Sequence, residues 1–109
     1  MPYDEKLAER VRAKLKSTRG LVEKKMFGGV GFLVNGNLAC GVNQQDLIVR
    51  LSDEDFETSL KQAHVRIFDM TGKPMKGWIR VSTTGTATDK ALQGWVEKGI
   101  AFARSLPAK

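Results

Sequence analysis

Apolar and polar positions from Lys25 to Leu51 (KMFGGVGFLVNGNLACGVNQQDLIVRL) predict three antiparallel strands joined by tight turns. Asn35-Gly36 supplies the first turn, because both residues tolerate the positive φ that a two-residue hairpin loop needs. Asn43-Gln44-Gln45-Asp46 supplies the second. The first turn sets Val34 opposite Asn37, Leu33 opposite Leu38 and Gly31 opposite Cys40, and the second sets Val42 opposite Leu47. Opposed residues share a face. One face then collects Phe27, Leu33, Leu38, Cys40, Val42, Leu47, Val49 and Leu51 and reads as the core face. The other collects Val30, Phe32, Val34, Ala39 and Ile48, with only Asn37 and Arg50 polar. A sheet with one solvated face alternates more cleanly than this. The second face is therefore expected to be covered, by a helix of the same chain or by a partner. A single bulge would move part of the set across.

Helical periods flank the strands. Leu7, Ala8, Val11 and Leu15 form a stripe within residues 4–18, with Asp4 and Glu5 at one end, Lys14 and Lys16 at the other, and Gly20 as a stop. Ser52 followed by Asp53, Glu54 and Asp55 opens a short helix that carries Phe56, Leu60 and Ala63 and ends near Gln62 or Ala63. Residues 65–70 and 77–82 read as a second hairpin around the Thr71–Gly77 loop, which carries Lys73 and Lys76. Thr86 or Thr88 caps a last helix over 89–105, stopped by Pro107. Its apolar face holds Leu92, Trp95, Val96, Gly99, Ile100, Ala103 and Leu106. Gly94 and Gly99 each cost about 1 kcal/mol against alanine inside a helix. Gly99 falls on the buried face, where close approach of another backbone would account for it. The order is α-β-β-β-α-β-β-α, an α+β class with an antiparallel sheet and helices in two layers.

At 109 residues the chain is expected to be one domain, residues 1–109. A chain of this size buries roughly 65% of its unfolded surface, which is enough for a core. No apolar run is long enough to span a membrane, and the N-terminus lacks a secretory pattern, so a cytoplasmic location is expected. The formal charge of +6 is uneven. Residues 1–25 carry eight Lys/Arg against four Asp/Glu, a net of +4.

Candidate chemistry is sparse. Gly28-Gly29-Val30-Gly31 matches neither phosphate-loop template and precedes a strand, so a strand kink or a close packing point is the better reading. Cys40, the single cysteine, reads as a small buried hydrophobe. His64, the single histidine, has no ligand-spaced companion, which argues against zinc, and reads as a capping or exposed residue. Asp53, Glu54, Asp55 and Glu57 occupy the helix start, where acids are expected electrostatically. Trp95 fits the core stripe. Trp78, between Lys76 and Arg80, fits either the core or a stacking role. No catalytic, cofactor-binding or metal-binding residue is assigned.

Met26-Phe27-Gly28-Gly29-Val30-Gly31-Phe32, Asn35-Gly36, Leu47-Ile48-Val49-Arg50-Leu51, Gly72-Lys73-Pro74-Met75, the Trp78 strand and the Ser105-Leu106-Pro107 ending together resemble the N-terminal domain of the TfoX (Sxy) family. The resemblance covers nearly the whole chain, and its most specific part is Met-Phe-Gly-Gly-x-Gly-Phe. It implies an α-β(3)-α-β(2)-α fold similar to secretion-chaperone-like domains. Full-length members regulate bacterial competence for DNA uptake and carry a second, helical domain. The expectation here is the N-terminal domain standing alone.

The expected function is a small non-enzymatic regulatory or protein-interaction domain, with a homodimer or protein partner held through Val30, Phe32, Val34 and Ile48. The alternative is weak, sequence-independent nucleic-acid binding by Lys6, Arg10, Arg12, Lys16, Arg19, Lys24 and Lys25, with strong salt dependence. An enzyme is the third reading and would need a pocket of convergent polar groups.

Overall fold

Asn35 and Gly36 form the expected tight turn, with φ of 54° and 84°. Val34 opposes Asn37 and Leu33 opposes Leu38, as the turn dictates. The computed structural model describes residues 3–26, 28–69 and 74–108. Phe27, expected on the core face, and Lys73, expected in the second hairpin loop, lie outside the described residues.

The described elements run α1 (Glu5–Leu15), β1 (Leu21–Met26), β2 (Gly29–Val34), β3 (Asn37–Asn43), β4 (Asp46–Arg50), α2 (Asp53–Ser59), β5 (Val65–Asp69), β6 (Pro74–Val81), a 3₁₀ turn (Thr83–Thr86) and α3 (Asp89–Ser105). The strands make one antiparallel sheet in the order β1-β2-β3-β4-β6-β5. The α+β class stands, and the first meander has four strands rather than three. The added strand is β1, an edge strand whose side chains are mostly exposed. Leu21-Val22-Glu23-Lys24-Lys25 therefore shows no apolar face in the sequence. Gly28, at φ +74°, lies in the turn that returns the chain into β2. The glycine-rich run is thus a hairpin and a packing point: a Cβ on Gly29 would strike the Val42 carbonyl, and one on Gly31 would strike the Met26 side chain.

The register shifts between Phe32 and Leu33. Phe32 then faces Cys40, and Gly31 faces Gly41 rather than Cys40. Ala39 is the extra residue of this bulge, and its effect is to exchange faces. Val30 and Phe32 join Cys40, Val42, Leu47 and Val49 on one side, and Leu33 and Leu38 go to the other. The first side is the core. Leu7, Val11 and Leu15 of α1, Phe56 of α2, and Leu92 and Val96 of α3 pack with these strand residues and with Ile79 and Val81 of β6 in one cluster. A fully buried side chain such as Phe32 contributes about 1.5–3 kcal/mol relative to exposure. The sequence reading thus missed β1, placed Cys40, Val42, Leu47, Val49 and Leu51 correctly in the core, and set Leu33 and Leu38 there in place of Val30 and Phe32.

Local chemistry explains the helix limits. Asp4 lies outside α1 and caps it, its carboxylate accepting from the N–H of Lys6 at 2.9 Å. The helix ends at Leu15, and Gly20 turns the chain at φ +77°. Ser52 Oγ accepts from the Asp55 N–H at 3.3 Å to open α2. That helix stops at Ser59, short of Gln62. Of the two threonines, Thr88 is the cap of α3, its Oγ1 accepting from the Ala91 N–H at 3.1 Å. Buried Asn37 closes the other end. Its Nδ2 donates to the carbonyls of Ala103 at 3.4 Å and Pro107 at 3.0 Å, satisfying groups that a helix C-terminus leaves unpaired. No helix among the described residues is long and apolar enough to cross a membrane.

Candidate functional site

The residues expected to form an interface are inside the molecule. Val30, Phe32, Val34 and Ile48 are each no more than 1% exposed. Val30 and Phe32 pack under α1 and α3, and Val34 packs with Ala103 of α3. Ile48 lies on the opposite sheet face, between Gly41 and Arg80 in register, and is equally buried. These four side chains offer no surface to a partner, because the bulge turned three of them toward the chain's own helices.

The basic set does not converge on one surface. Arg12 and Arg10 leave α1 on opposite flanks of its buried stripe and each is engaged within the chain. Arg12 makes a two-pronged ion pair with Glu23 of β1 at 2.7 and 2.8 Å. Arg10 donates to the Thr86 carbonyl at 2.8 Å and reaches Asp89 at 3.4 Å, tying α1 to the start of α3. Lys24 and Lys25 alternate across β1 and so project from opposite faces of the sheet. Lys6, Lys16 and Arg19 are exposed.

The far sheet face carries a ladder of rings and guanidinium groups. Trp78 stacks on Phe68 with centroids 6.1 Å apart. Arg50 lies 5.7 Å from the Trp78 ring and 5.4 Å from that of Phe102. Arg80 lies 5.5 Å from the Phe68 ring and bonds Asp46 at 2.8 Å and Asn43 at 2.5 Å. Trp78 is thus a half-buried member of this ladder, packed within the chain.

A cleft of about 480 Å³ opens where the turn after α2, the 3₁₀ turn and the first half of α3 meet. Trp95 forms part of its wall, and its indole N–H donates to the Gly85 carbonyl at 3.2 Å. His64 is neither a cap nor exposed. It is half-buried, its ring edge-on to Trp95 at 6.4 Å, and it leaves room for no side chain at Gly85. Lys98 Nζ sits 5.6 Å from the Trp95 ring. Lys90 and Thr88 stand along the same wall, with Gln62 and Thr84 also lining the cleft. The lining contains amines, hydroxyls, an amide and an imidazole, and no Asp, Glu or Cys. Gly94 also lines it, and a Cβ there would meet nothing within 4 Å.

A second hollow of about 210 Å³ lies further along α3, between the α2 cap Ser52 and Asp55 of α2 on one side and Ala101, Phe102 and Ser105 of α3 on the other. Lys98 lines both hollows, which follow one another along the same side of α3. The sequence held one signal for this groove, the unexplained helical Gly94. The contribution of His64 and Gly85 depends on tertiary placement.

The acids of α2 stay at its first turn, as helix electrostatics requires. Among the described residues no group of three or more His, Cys, Asp or Glu is placed to hold a metal ion. Cys40 is fully buried, and burial pushes its thiol up to about 12. Arg12 holds the Glu23 carboxyl below its usual range through their hydrogen bonds.

Fold and surface together define an α+β domain whose helices pack on an antiparallel sheet and border an amine-rimmed groove. The model of the TfoX N-terminal domain matches residues 13–103, and the chain belongs to that family. No curated protein matches the chain.

Proposed function

We propose that this domain is a non-enzymatic interaction module that binds a protein partner through the groove along α3. The observation that carries the reading is Gly94. Glycine inside a helix costs about 1 kcal/mol against alanine. At Gly99 the fold itself accounts for that cost, because a side chain would strike the Ala39 carbonyl. At Gly94 nothing among the described residues accounts for it, since a Cβ would stand in open space within the cleft. A surface that keeps a helix backbone bare, beside a largely satisfied tryptophan and two lysines, suits the close approach of another chain. Val30, Phe32, Val34 and Ile48 are buried and Arg10 and Arg12 are engaged within the chain, so the reading rests on the groove and not on either of those sets. A regulatory role for the module accords with membership of the TfoX N-terminal domain family.

The test is affinity isolation of the tagged chain from its own cells, with and without nuclease, alongside the double variant Lys90→Glu/Lys98→Glu. A partner protein that survives nuclease and is lost from the variant supports the reading. Recovery of nucleic acid alone, or of a partner indifferent to both lysines, contradicts it.

A further inference from the structure

The geometry points to the kind of partner: we infer that the α2–α3 groove takes an acidic amphipathic helix of another protein. The inference rests on the interaction-module reading and makes it specific. Length is the first argument. From Lys90 to Ser105 the two hollows together follow α3 for fifteen residue steps, about 22 Å at the helical rise. That accommodates roughly four turns of a docked helix.

Depth is the second argument. Packed helices lie about 8–10 Å apart, and the close end of that range is reached where side chains at the crossing are small. Gly94 lines the first hollow with open space above it, Ala91 lies beside it, and Ala101 lines the second hollow about two turns further along α3. A large side chain of the incoming helix can seat over Gly94 against the indole of Trp95.

Charge is the third argument. Lys90 and Lys98 are exposed and neither forms an ion pair within 4.0 Å among the described residues. Lys90 sits in the first turn of α3, where the helix dipole disfavours a cation. A carboxylate from a partner would relieve that mismatch. The groove's one acid, Asp55, lies at the far end in the first turn of α2, where the dipole suits it. The occupant is therefore apolar on one face and acidic along its edges, with the acids concentrated toward Lys90.

The test uses the full chain, labelled with ¹⁵N, and two synthetic sixteen-residue amphipathic peptides as probes. One is built from Ala, Leu and Glu, the other from Ala, Leu and Lys. The acidic peptide is expected to shift the amides of Gly94, Lys98 and Ala101, and the basic one to leave them unchanged. Lys90→Glu/Lys98→Glu should weaken binding at least tenfold, and Gly94→Leu should abolish it. Gly94→Leu is expected to fold, since its added atoms enter open space. Binding of both peptides alike, binding indifferent to Gly94→Leu, shifts confined to other surfaces, or no binding would each overturn the inference. If isolation from cells still returns a lysine-dependent partner after such a result, the interaction module stands and only the acidic-helix assignment falls. If neither experiment gives binding, both fall.

Discussion

Gly99 of α3 lies directly against the carbonyl oxygen of Ala39, the bulged residue of β3. The contact joins an irregularity of the sheet to the bare point of the helix above it. The bulge carries the Ala39 carbonyl into the place a side chain at 99 would occupy. The two features require each other, and together they set how closely α3 seats on β3.

Gly99→Ala therefore forces α3 away from the sheet. Overpacking of this kind costs about 1–3 kcal/mol, against a helix-propensity gain of about 1 kcal/mol, so the variant should gain nothing and be destabilised by up to about 2 kcal/mol net. Gly94→Ala carries the same propensity gain without the clash and should be stabilised by about 1 kcal/mol. Urea denaturation of the two variants reads the contrast directly. Equal effects would remove the distinction on which the groove argument depends.

The Arg12–Glu23 pair gives a modest pH dependence. Its hydrogen bonds hold the folded Glu23 carboxyl below the unfolded value, so the folded protein binds this proton less readily. The stabilisation is present above the ordinary glutamate range and is lost as pH falls through the lowered folded value. Both side chains are more than a third exposed, which limits the pair to about 0.2–1 kcal/mol at low salt. Glu23→Gln should flatten this part of the stability profile, as followed by denaturation at several acidic pH values.

Ser59 is fully buried on α2, and its Oγ has no hydrogen-bond partner among the described residues. A buried hydroxyl without a partner costs roughly 1–3 kcal/mol in lost hydration. Ser59→Ala should consequently leave stability unchanged or raise it by about 1 kcal/mol. A thermal melt that falls by several degrees would mean that the hydroxyl is used.

Cys40 should resist modification in the native state. Its thiol is fully buried and held near 12, so little thiolate forms at pH 8. Thiol-reagent labelling should follow global unfolding, rising with urea along the same curve as loss of structure. Rapid labelling of the folded protein would contradict the placement of β3 in the core.

Local signals made some of this structure readable from sequence. The span of α3 follows from Thr88 at its start and Pro107 beyond its end, and the turn between β2 and β3 follows from Asn35-Gly36. Close approach at Gly99 was legible because the glycine fell on an apolar stripe. The strand β1 was not legible, because an exposed edge strand needs no apolar alternation. The bulge at Ala39 leaves no residue signature, yet it decides which side of β2 faces the helices. That is why Val30, Phe32 and Val34 read as a second face, to be covered by a helix or a partner, and are in fact core. Arg10 and Arg12 read as available charge because their partners, Asp89 and Glu23, are brought to them by the fold. His64 became part of a cleft wall through Gly85 and Trp95, twenty or more positions away in sequence.

The most direct test of the central claim is site-specific photo-crosslinking in the cells that make the protein. A photoreactive residue is placed at Thr84 or Ser105, at the two ends of the groove, or at exposed Val22 on the opposite sheet edge. The account predicts a common protein adduct from Thr84 and Ser105, absent in a Gly94→Leu background, and none from Val22. Adducts from Val22 with silence at both groove positions would contradict it.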